Sequence, residues 1–146
     1  MSKKMMIVDP EKCTGCRNCE LVCSVKHNGA SSPALARIHI VKWENENPYM
    51  PMRCQHCDDA PCVRACLTGA LSRDLETGVV TVDEERCIGC GTCMLVCPVG
   101  VLQLDKKQKK MLKCDLCQGE EIPACVANCP NEALAYVDEP EAVPEA

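Results

Sequence analysis

The chain has 146 residues, of which 16 are cysteine, one is tryptophan and none is phenylalanine. So few large apolar side chains make a thin hydrophobic core, because small domains bury a smaller share of their surface. The formal net charge of −5 disfavours nucleic acid as a partner, since binding to phosphates requires a basic face.

The N-terminus lacks the pattern of a secretory leader. Its apolar run covers only residues 5–8 and stops at Asp9 and Pro10, which is too short for a signal peptide. No segment reaches the apolar length needed to span a bilayer, so we expect no membrane span. We therefore expect a cytoplasmic protein of a reducing compartment, where a high cysteine content favours metal binding over disulfides.

Four short segments have the alternation and the β-branched residues typical of strands, and in chain order they are residues 37–43, 79–82, 101–104 and 133–137. Helical turns are predicted within residues 19–23 and 92–97. Residues 29–53 form an insertion rich in turn signals. The acidic, proline-rich tail, residues 138–146, is expected to be disordered or to extend onto a partner.

The sixteen cysteines fall into four runs of four, and none is left over. They are Cys13, Cys16, Cys19 and Cys23; Cys54, Cys57, Cys62 and Cys66; Cys87, Cys90, Cys93 and Cys97; and Cys114, Cys117, Cys125 and Cys129. Runs one and three have the spacing C-x2-C-x2-C-x3-C, and a proline follows run three, as in the cysteine runs that hold [4Fe–4S] clusters. Four thiolates per cluster predict four [4Fe–4S] clusters.

Crossed ligation is the expected arrangement, because in two-cluster ferredoxins the fourth cysteine of a run ligates the other cluster. Applied here, the rule predicts four ligand sets: Cys13, Cys16, Cys19 and Cys129; Cys114, Cys117, Cys125 and Cys23; Cys54, Cys57, Cys62 and Cys97; and Cys87, Cys90, Cys93 and Cys66. The fold class expected is α+β, with one ferredoxin-like two-cluster module inserted in another. Residues 54–107 are the inner module, residues 1–53 and 108–137 form the outer module, and residues 138–146 are the tail.

Other cysteine chemistry stays open at this point. Four zinc sites, or two zinc sites with disulfides, would use the same residues, but structural zinc sites usually pair two C-x2-C knuckles across a dozen residues or more. A missing cluster or a three-iron cluster at one site is a milder alternative.

The four runs in this order resemble the four-cluster polyferredoxin subunits of the dimethyl sulfoxide reductase beta-subunit type. Similar small subunits serve carbon monoxide dehydrogenase, formate hydrogenlyase and tungsten aldehyde oxidoreductase. The matching stretches are residues 13–19, 54–57, 60–62, 68–70 and 87–93. The resemblance implies crossed pairing of run one with run four and of run two with run three. Leu67 replaces the proline usual after run two, which allows that loop to differ, whereas Cys90 is present where some relatives have a three-iron site.

Several other residues invite a functional interpretation. His56 lies inside run two, and we expect it to pack or to form a hydrogen bond rather than to ligate metal; His27 and His39 are expected at the surface or in a strand. Trp43 either anchors an interface or covers a cluster. A basic turn contains Lys106, Lys107, Lys109, Lys110 and Lys113, and it is either a solvated hairpin or a docking patch for an acidic partner.

The residues contain no catalytic constellation and no glycine-rich phosphate loop, so we expect a protein that is not catalytic on its own. The leading hypothesis is an electron-transfer subunit in a hetero-oligomer. It would relay single electrons between a catalytic oxidoreductase subunit and a second redox subunit or ferredoxin. The catalytic partner would be a tungsten or molybdenum enzyme, a carbon monoxide dehydrogenase or a hydrogenase. The alternatives are a freely diffusing low-potential polyferredoxin and a structural zinc protein.

Overall fold

A computed structural model describes residues 3–42 and 49–138. The predictions made for Trp43 and for the tail after residue 138 lie outside the described residues. In chain order the elements are β1 (Lys4–Val8), α1 (Asn18–Asn28), a 3₁₀ turn (Pro33–Leu35), β2 (Ile38–Lys42), β3 (Tyr49–Arg53), α2 (Pro61–Ala65), β4 (Leu71–Arg73), β5 (Val80–Val82), α3 (Thr92–Val96), β6 (Gln103–Asp105), β7 (Lys110–Leu112), α4 (Ala124–Ala127) and β8 (Leu134–Asp138).

The strands of the described residues form four antiparallel pairs: β1–β8, β2–β3, β4–β5 and β6–β7. Three pairs are local hairpins, whereas β1 and β8 come from opposite ends of the chain, with Lys4 opposite Asp138 and Val8 opposite Leu134. The α+β class predicted from the sequence is confirmed. Strands β2, β5 and β8 lie where they were predicted, β6 begins two residues later than predicted, and β1, β3, β4 and β7 were not predicted.

Each of the four short helices contains the third cysteine of a run, and they pack in two pairs, α1 on α4 and α2 on α3. Helix α1 is the longest of them and extends well past the predicted turn. Its buried Glu20 accepts a hydrogen bond from the Ile40 amide of β2 at 2.7 Å. It ends at Gly29, whose φ of 68° suits a residue without a Cβ. These contacts position runs one and four beside each other.

Cysteine side chains are part of both buried apolar clusters of the protein. One cluster combines Cys19, Cys23 and Cys125 with apolar residues of the N- and C-terminal segments, among them Met6, Ile38, Leu116 and Leu134. The other surrounds Cys93 with Ala60, Leu71, Val80, Leu102 and Met111. The apolar interior is therefore continuous with the thiols.

The longest helix between residues 3 and 138 has 11 residues. Within the described ranges, no helix is both long and apolar enough to cross a membrane.

Candidate metal centres

All sixteen cysteines lie among the described residues, and all are free thiols. Three cavities are each lined by four cysteines, three from one run and the fourth from another. The first contains Cys13, Cys16, Cys19 and Cys129; the second contains Cys54, Cys57, Cys62 and Cys97; and the third contains Cys66, Cys87, Cys90 and Cys93. The fold thus brings these sequence-predicted residues together, and their ligation of one cluster per set stays a prediction.

The remaining four cysteines also lie near one another. The charge of Cys125 interacts with those of Cys114, Cys23 and Cys117, and Cys114 interacts with Cys23 in turn. Run four therefore approaches the last cysteine of run one, because α1, which contains Cys23, packs on α4, which contains Cys125.

In each run, the residue immediately before the second cysteine has a left-handed backbone conformation. These residues are Gly15, His56, Gly89 and Leu116, with φ of 71°, 49°, 70° and 57°. At two of them the backbone amide donates to the sulfur of the run's first cysteine, His56 to Cys54 at 3.4 Å and Leu116 to Cys114 at 3.5 Å. The glycines in runs one and three are a sequence signal for this turn. Histidine and leucine give no such signal, because side chains normally disfavour positive φ.

The loops after the fourth cysteines share a second turn. The amide four residues on donates to the cysteine sulfur, Ala70 to Cys66 at 3.3 Å and Ala133 to Cys129 at 3.4 Å. Run two has Leu67 after its last cysteine and run four has a proline, yet both loops make this hydrogen bond. The variation that Leu67 allowed is therefore not found, since the bond depends on the amide four residues on and not on the proline.

Most of the buried thiols are hard to ionise. Desolvation raises the pKa of Cys19 to about 12, that of Cys114 to about 12 and that of Cys93 to about 11. At Cys66, desolvation also raises the pKa, but hydrogen bonds from residues 68–71, with the Thr68 hydroxyl foremost, outweigh it and lower the pKa to about 7. Because metal ligands must be thiolates, the buried sets need a strong positive charge inside them, which iron supplies.

Two buried cations lie between the inner and outer cysteine sets. Arg53 is 5% exposed and donates to the carbonyl oxygens of Cys54 and Met6. Lys113 is 6% exposed and donates to the carbonyl oxygens of Cys114 and Val80. Neither takes part in any of the ion pairs between described residues.

An unpaired charge is costly to bury, so the site calls for an anionic group nearby. Buried Arg53 Nε also has no hydrogen-bond partner within the part of the chain that the structure describes. A cluster bound by four thiolates is anionic, and the residues present therefore fit it.

His56 is a hydrogen-bonding residue. Its Nδ1 accepts from the Val80 amide at 3.0 Å, which fixes the neutral tautomer that bears its proton on Nε2. Burial, followed by the charges of Lys113, Arg53 and Arg73, lowers its pKa to about 3. The prediction that His56 packs or forms a hydrogen bond is therefore consistent with the structure.

His27 lies half-buried at the end of α1, with its ring close to a candidate ligand. Its Nε2 lies 3.8 Å from the sulfur of Cys117 and 3.6 Å from a carboxylate oxygen of Asp115. Sequence reasoning missed this proximity, since the two segments are far apart in the chain. His39 lies in β2, as expected.

The basic turn divides into two parts. Lys106, Lys107 and Lys109 are exposed on the β6–β7 turn. Lys110 donates to the carbonyl oxygen of Cys87 at 2.6 Å, whereas Lys113 is buried. The prediction that Lys113 belongs to the same basic turn as the solvated lysines was therefore wrong, because β7 directs the chain inward after residue 110.

Two cysteines are exposed, Cys16 in the first cavity and Cys90 in the third. The other fourteen are buried or half-buried. Of the four sets, the first and the third therefore each contain one exposed cysteine, and the other two contain none.

Known proteins place this arrangement in a family. The model of the family described as "4Fe-4S dicluster domain" matches residues 45–139, and that described as "4Fe-4S binding domain" matches residues 4–25. The chain belongs to the 4Fe-4S dicluster family. It is thus an iron–sulfur protein of electron transfer.

Curated relatives of this chain give the same assignment. The electron transport protein HydN of Escherichia coli K12 is 39% identical, over 92% of this chain and 88% of the relative. The polyferredoxin-like subunit of aliphatic sulfonate oxidoreductase from Pyrococcus furiosus is 43% identical, over 85% of this chain and 70% of the relative. Both names describe electron-transfer proteins, and one describes a subunit of an oxidoreductase.

Among solved structures, the active site complex BamBC of benzoyl coenzyme A reductase with benzoyl-CoA contains a chain similar to this one. The TM-score is 0.60 and the identity 28%, and the match covers 95% of this chain and 81% of that chain. The dicluster fold of this protein therefore resembles a chain found in a reductase complex.

Proposed function

We propose that this protein is the electron-transfer subunit of an oxidoreductase complex and that it holds four [4Fe–4S] clusters in the crossed ligand sets. The observation that carries the proposal is the mixed origin of each cavity, in which one run supplies three cysteines and a second run the fourth. A bound [4Fe–4S] cluster supplies a one-electron redox centre whose potential depends on charge, hydrogen bonds and exposure.

The order of the four sets follows from their contacts. Cys19 of the first set interacts electrostatically with Cys125 of the run-four set, and Cys62 of the second cavity interacts with Cys93 of the third. Buried Arg53 and Lys113 lie between the run-four set and the second cavity. The exposed Cys16 and Cys90 therefore mark the two ends of a line of four sites, and the buried sets lie in its middle.

The same contacts support two modules, one inserted in the other. Residues 54–107 contain α2, α3 and the β4–β5 hairpin, whereas residues 1–53 and 108–137 supply α1, α4 and the β1–β8 pair, and the β6–β7 hairpin crosses the boundary at residue 107. Pairing of β1 with β8 closes the outer unit around the inner one. We assign the inner two sites to residues 54–107 and the outer two to the flanking segments.

The partner is best sought among catalytic oxidoreductase subunits, of the tungsten or molybdenum, carbon monoxide dehydrogenase or hydrogenase type, with a second redox subunit or ferredoxin at the other end. The relatives named above as a subunit and a reductase chain support this assignment. We place the protein in the cytoplasm, in a hetero-oligomer. It has no catalysis of its own in this proposal.

Iron counting with double variants tests the ligand sets. Cys13→Ser and Cys129→Ser should each remove one cluster, about a quarter of the iron, and the double variant should remove no more, because both residues hold the same cluster. The matched double variant Cys114→Ser/Cys129→Ser should remove about half, since its residues belong to different sets. Equal losses from the two double variants would contradict crossed ligation, and a zinc-filled, iron-free anoxic preparation would contradict the proposal as a whole.

Affinity purification from the native host under anoxic conditions tests the partner. A large oxidoreductase subunit should be recovered at fixed stoichiometry. Recovery of the chain alone at every salt concentration would favour a freely diffusing polyferredoxin instead.

A further inference from the structure

The surfaces near the two exposed cysteines, Cys16 and Cys90, differ in their chemistry. Around Cys16 the exposed neighbours include polar Thr14 and Arg17, and the Thr14 hydroxyl accepts a hydrogen bond from the Asn131 amide group at 2.8 Å. The segments that form the Cys90 cavity expose large apolar side chains: Leu67 is 78% exposed, Ile88 61% and Leu95 87%. Ile88 also lines the Cys90 cavity.

The apolar residues belong to the segments that form this cavity. Leu67 follows Cys66, Ile88 lies between Cys87 and Cys90, and Leu95 lies on α3 shortly after Cys93. Three large, exposed apolar side chains on the segments that form one candidate cluster site are more than the isolated ones that ordinary surfaces carry, and such patches mark interaction sites.

A basic edge adjoins these residues. The β6–β7 turn is held against run three, because the Lys109 carbonyl lies directly over Gly89 and Lys110 donates to the carbonyl oxygen of Cys87. The same turn exposes Lys106, Lys107 and Lys109. A local group of lysines stands out on a chain whose formal net charge is −5.

We propose that the surface formed by Leu67, Ile88, Leu95 and the lysines of the β6–β7 turn is a docking site for an acidic redox protein. The occupant has an apolar patch over its own redox centre and carboxylates facing the lysines. The charge complementarity steers the partner, and the apolar contact excludes water between Cys90 and the incoming centre. A small interface suffices, since transient electron-transfer complexes bury little surface.

The exposed carboxylates of Glu84 and Glu85, which lie just before Cys87 on the chain, offer the opposite charge preference. A basic partner would depend on them instead of on the lysines. We favour the acidic partner, because the lysine turn contacts the loop that contains Cys90.

The site deepens the proposed function and rests on it, since it assigns a partner to one end of the line of clusters. The test uses the intact holoprotein and, as the probe, a small acidic two-cluster ferredoxin. The Kd is measured anoxically at low and high ionic strength. Iron content and electron paramagnetic resonance of every variant are recorded separately, so that loss of clusters is distinguished from loss of docking.

Lys107→Glu should weaken binding by about tenfold at low ionic strength, and the effect should shrink in high salt. The matched charge change Lys12→Glu, near the Cys16 end, should leave the Kd unchanged. Leu95→Ser should weaken binding at both salt concentrations, whereas Leu75→Ser, at an equally exposed leucine (85%), should not.

Two results overturn the proposal: equal Kd values for Lys107→Glu and Lys12→Glu, or binding that weakens with Glu84→Lys and not with Lys107→Glu. Neither result depends on how many clusters the protein holds. Conversely, a wild-type protein with fewer than four clusters that still binds the probe through Lys107 would contradict the proposed relay and leave the docking site in place.

Discussion

The buried ammonium group of Lys113 donates to the carbonyl oxygen of Cys114 at 3.0 Å and to that of Val80, while its Nζ lies 3.4 Å from His56 Nδ1. A cation is thus held between residues that lie far apart in the chain. With Arg53 nearby, this junction carries two buried positive charges. Each binds the backbone of a candidate ligand, so their charge acts directly on the sites to either side.

Removal of this cation should make the clusters on either side of it harder to reduce. Lys113→Met is expected to shift the two middle clusters to more negative potentials, by an amount on the order of tens of millivolts, because a nearby positive charge favours the added electron. Redox titration followed by electron paramagnetic resonance measures the shift. Lys107→Met, on the exposed turn, is the matched control and should change the potentials little, because solvent screens its charge. Equal shifts in both variants would show that Lys113 has no special influence.

Substitutions of His56 test whether this residue is a metal ligand or a hydrogen-bond acceptor. His56→Leu should leave the iron content unchanged but reduce stability by about 1–3 kcal/mol, because the buried Val80 amide loses its acceptor. His56→Asn should cost less, since asparagine tolerates positive φ and offers an oxygen acceptor. Iron analysis with chemical denaturation of the holoprotein checks both. Loss of one cluster's iron in both variants would identify His56 as a ligand.

Two glycines with the same backbone conformation should respond differently to a methyl group. Gly69 and Gly89 have φ of 67° and 70°, and a Cβ at Gly69 meets nothing within 4 Å, whereas one at Gly89 overlaps the Lys109 carbonyl. Gly69→Ala should cost about 1 kcal/mol from backbone strain alone. Gly89→Ala should cost at least about 2 kcal/mol, because overpacking adds to the strain. Thermal unfolding measures the difference, and equal costs would mean that the β6–β7 turn moves away freely.

Loss of metal should unfold the protein. Cysteine side chains belong to both apolar clusters, and the chain has no phenylalanine to replace them. Anoxic chelation of iron should therefore abolish most of the helical circular dichroism, since binding free energy of the metal is folding free energy. An iron-free protein that keeps its native spectrum and unfolds cooperatively would show that the polypeptide core suffices.

Spacing along the chain predicted the four cysteine runs, because three ligands of one cluster lie close in sequence, and the crossed-ligation rule predicted the fourth cysteine of each set. Strands β1 and β3 gave weaker signals. Strand β1 finds its partner at the other end of the chain, and β3 contains Pro51, which argues against a strand although it lies opposite Ile40 here. At residues 101–104 the apolar pattern reflects burial of Val101 and Leu102 rather than the strand, which begins at Gln103.

The buried cations could not be found from the sequence. In the sequence, Lys113 is one of several lysines in a basic turn, and Arg53 is the last residue of a polar insertion. Their burial is decided by tertiary contacts with Val80 and Met6, which lie 33 and 47 residues away. The proximity of His27 to Cys117, 90 residues apart, has the same origin.

The pairing of β1 with β8 also sets an order of assembly. During synthesis, the hairpins β4–β5 and β6–β7 can close as soon as they leave the ribosome, because few residues separate their strands. Lys4 must wait for Asp138, so the β1–β8 pair forms only after residues 134–138 have been synthesised. A nascent chain that stalls before residue 134 therefore exposes the cysteines of its first run without the strand that pairs with β1, and delivery of iron to that end has to follow synthesis of β8.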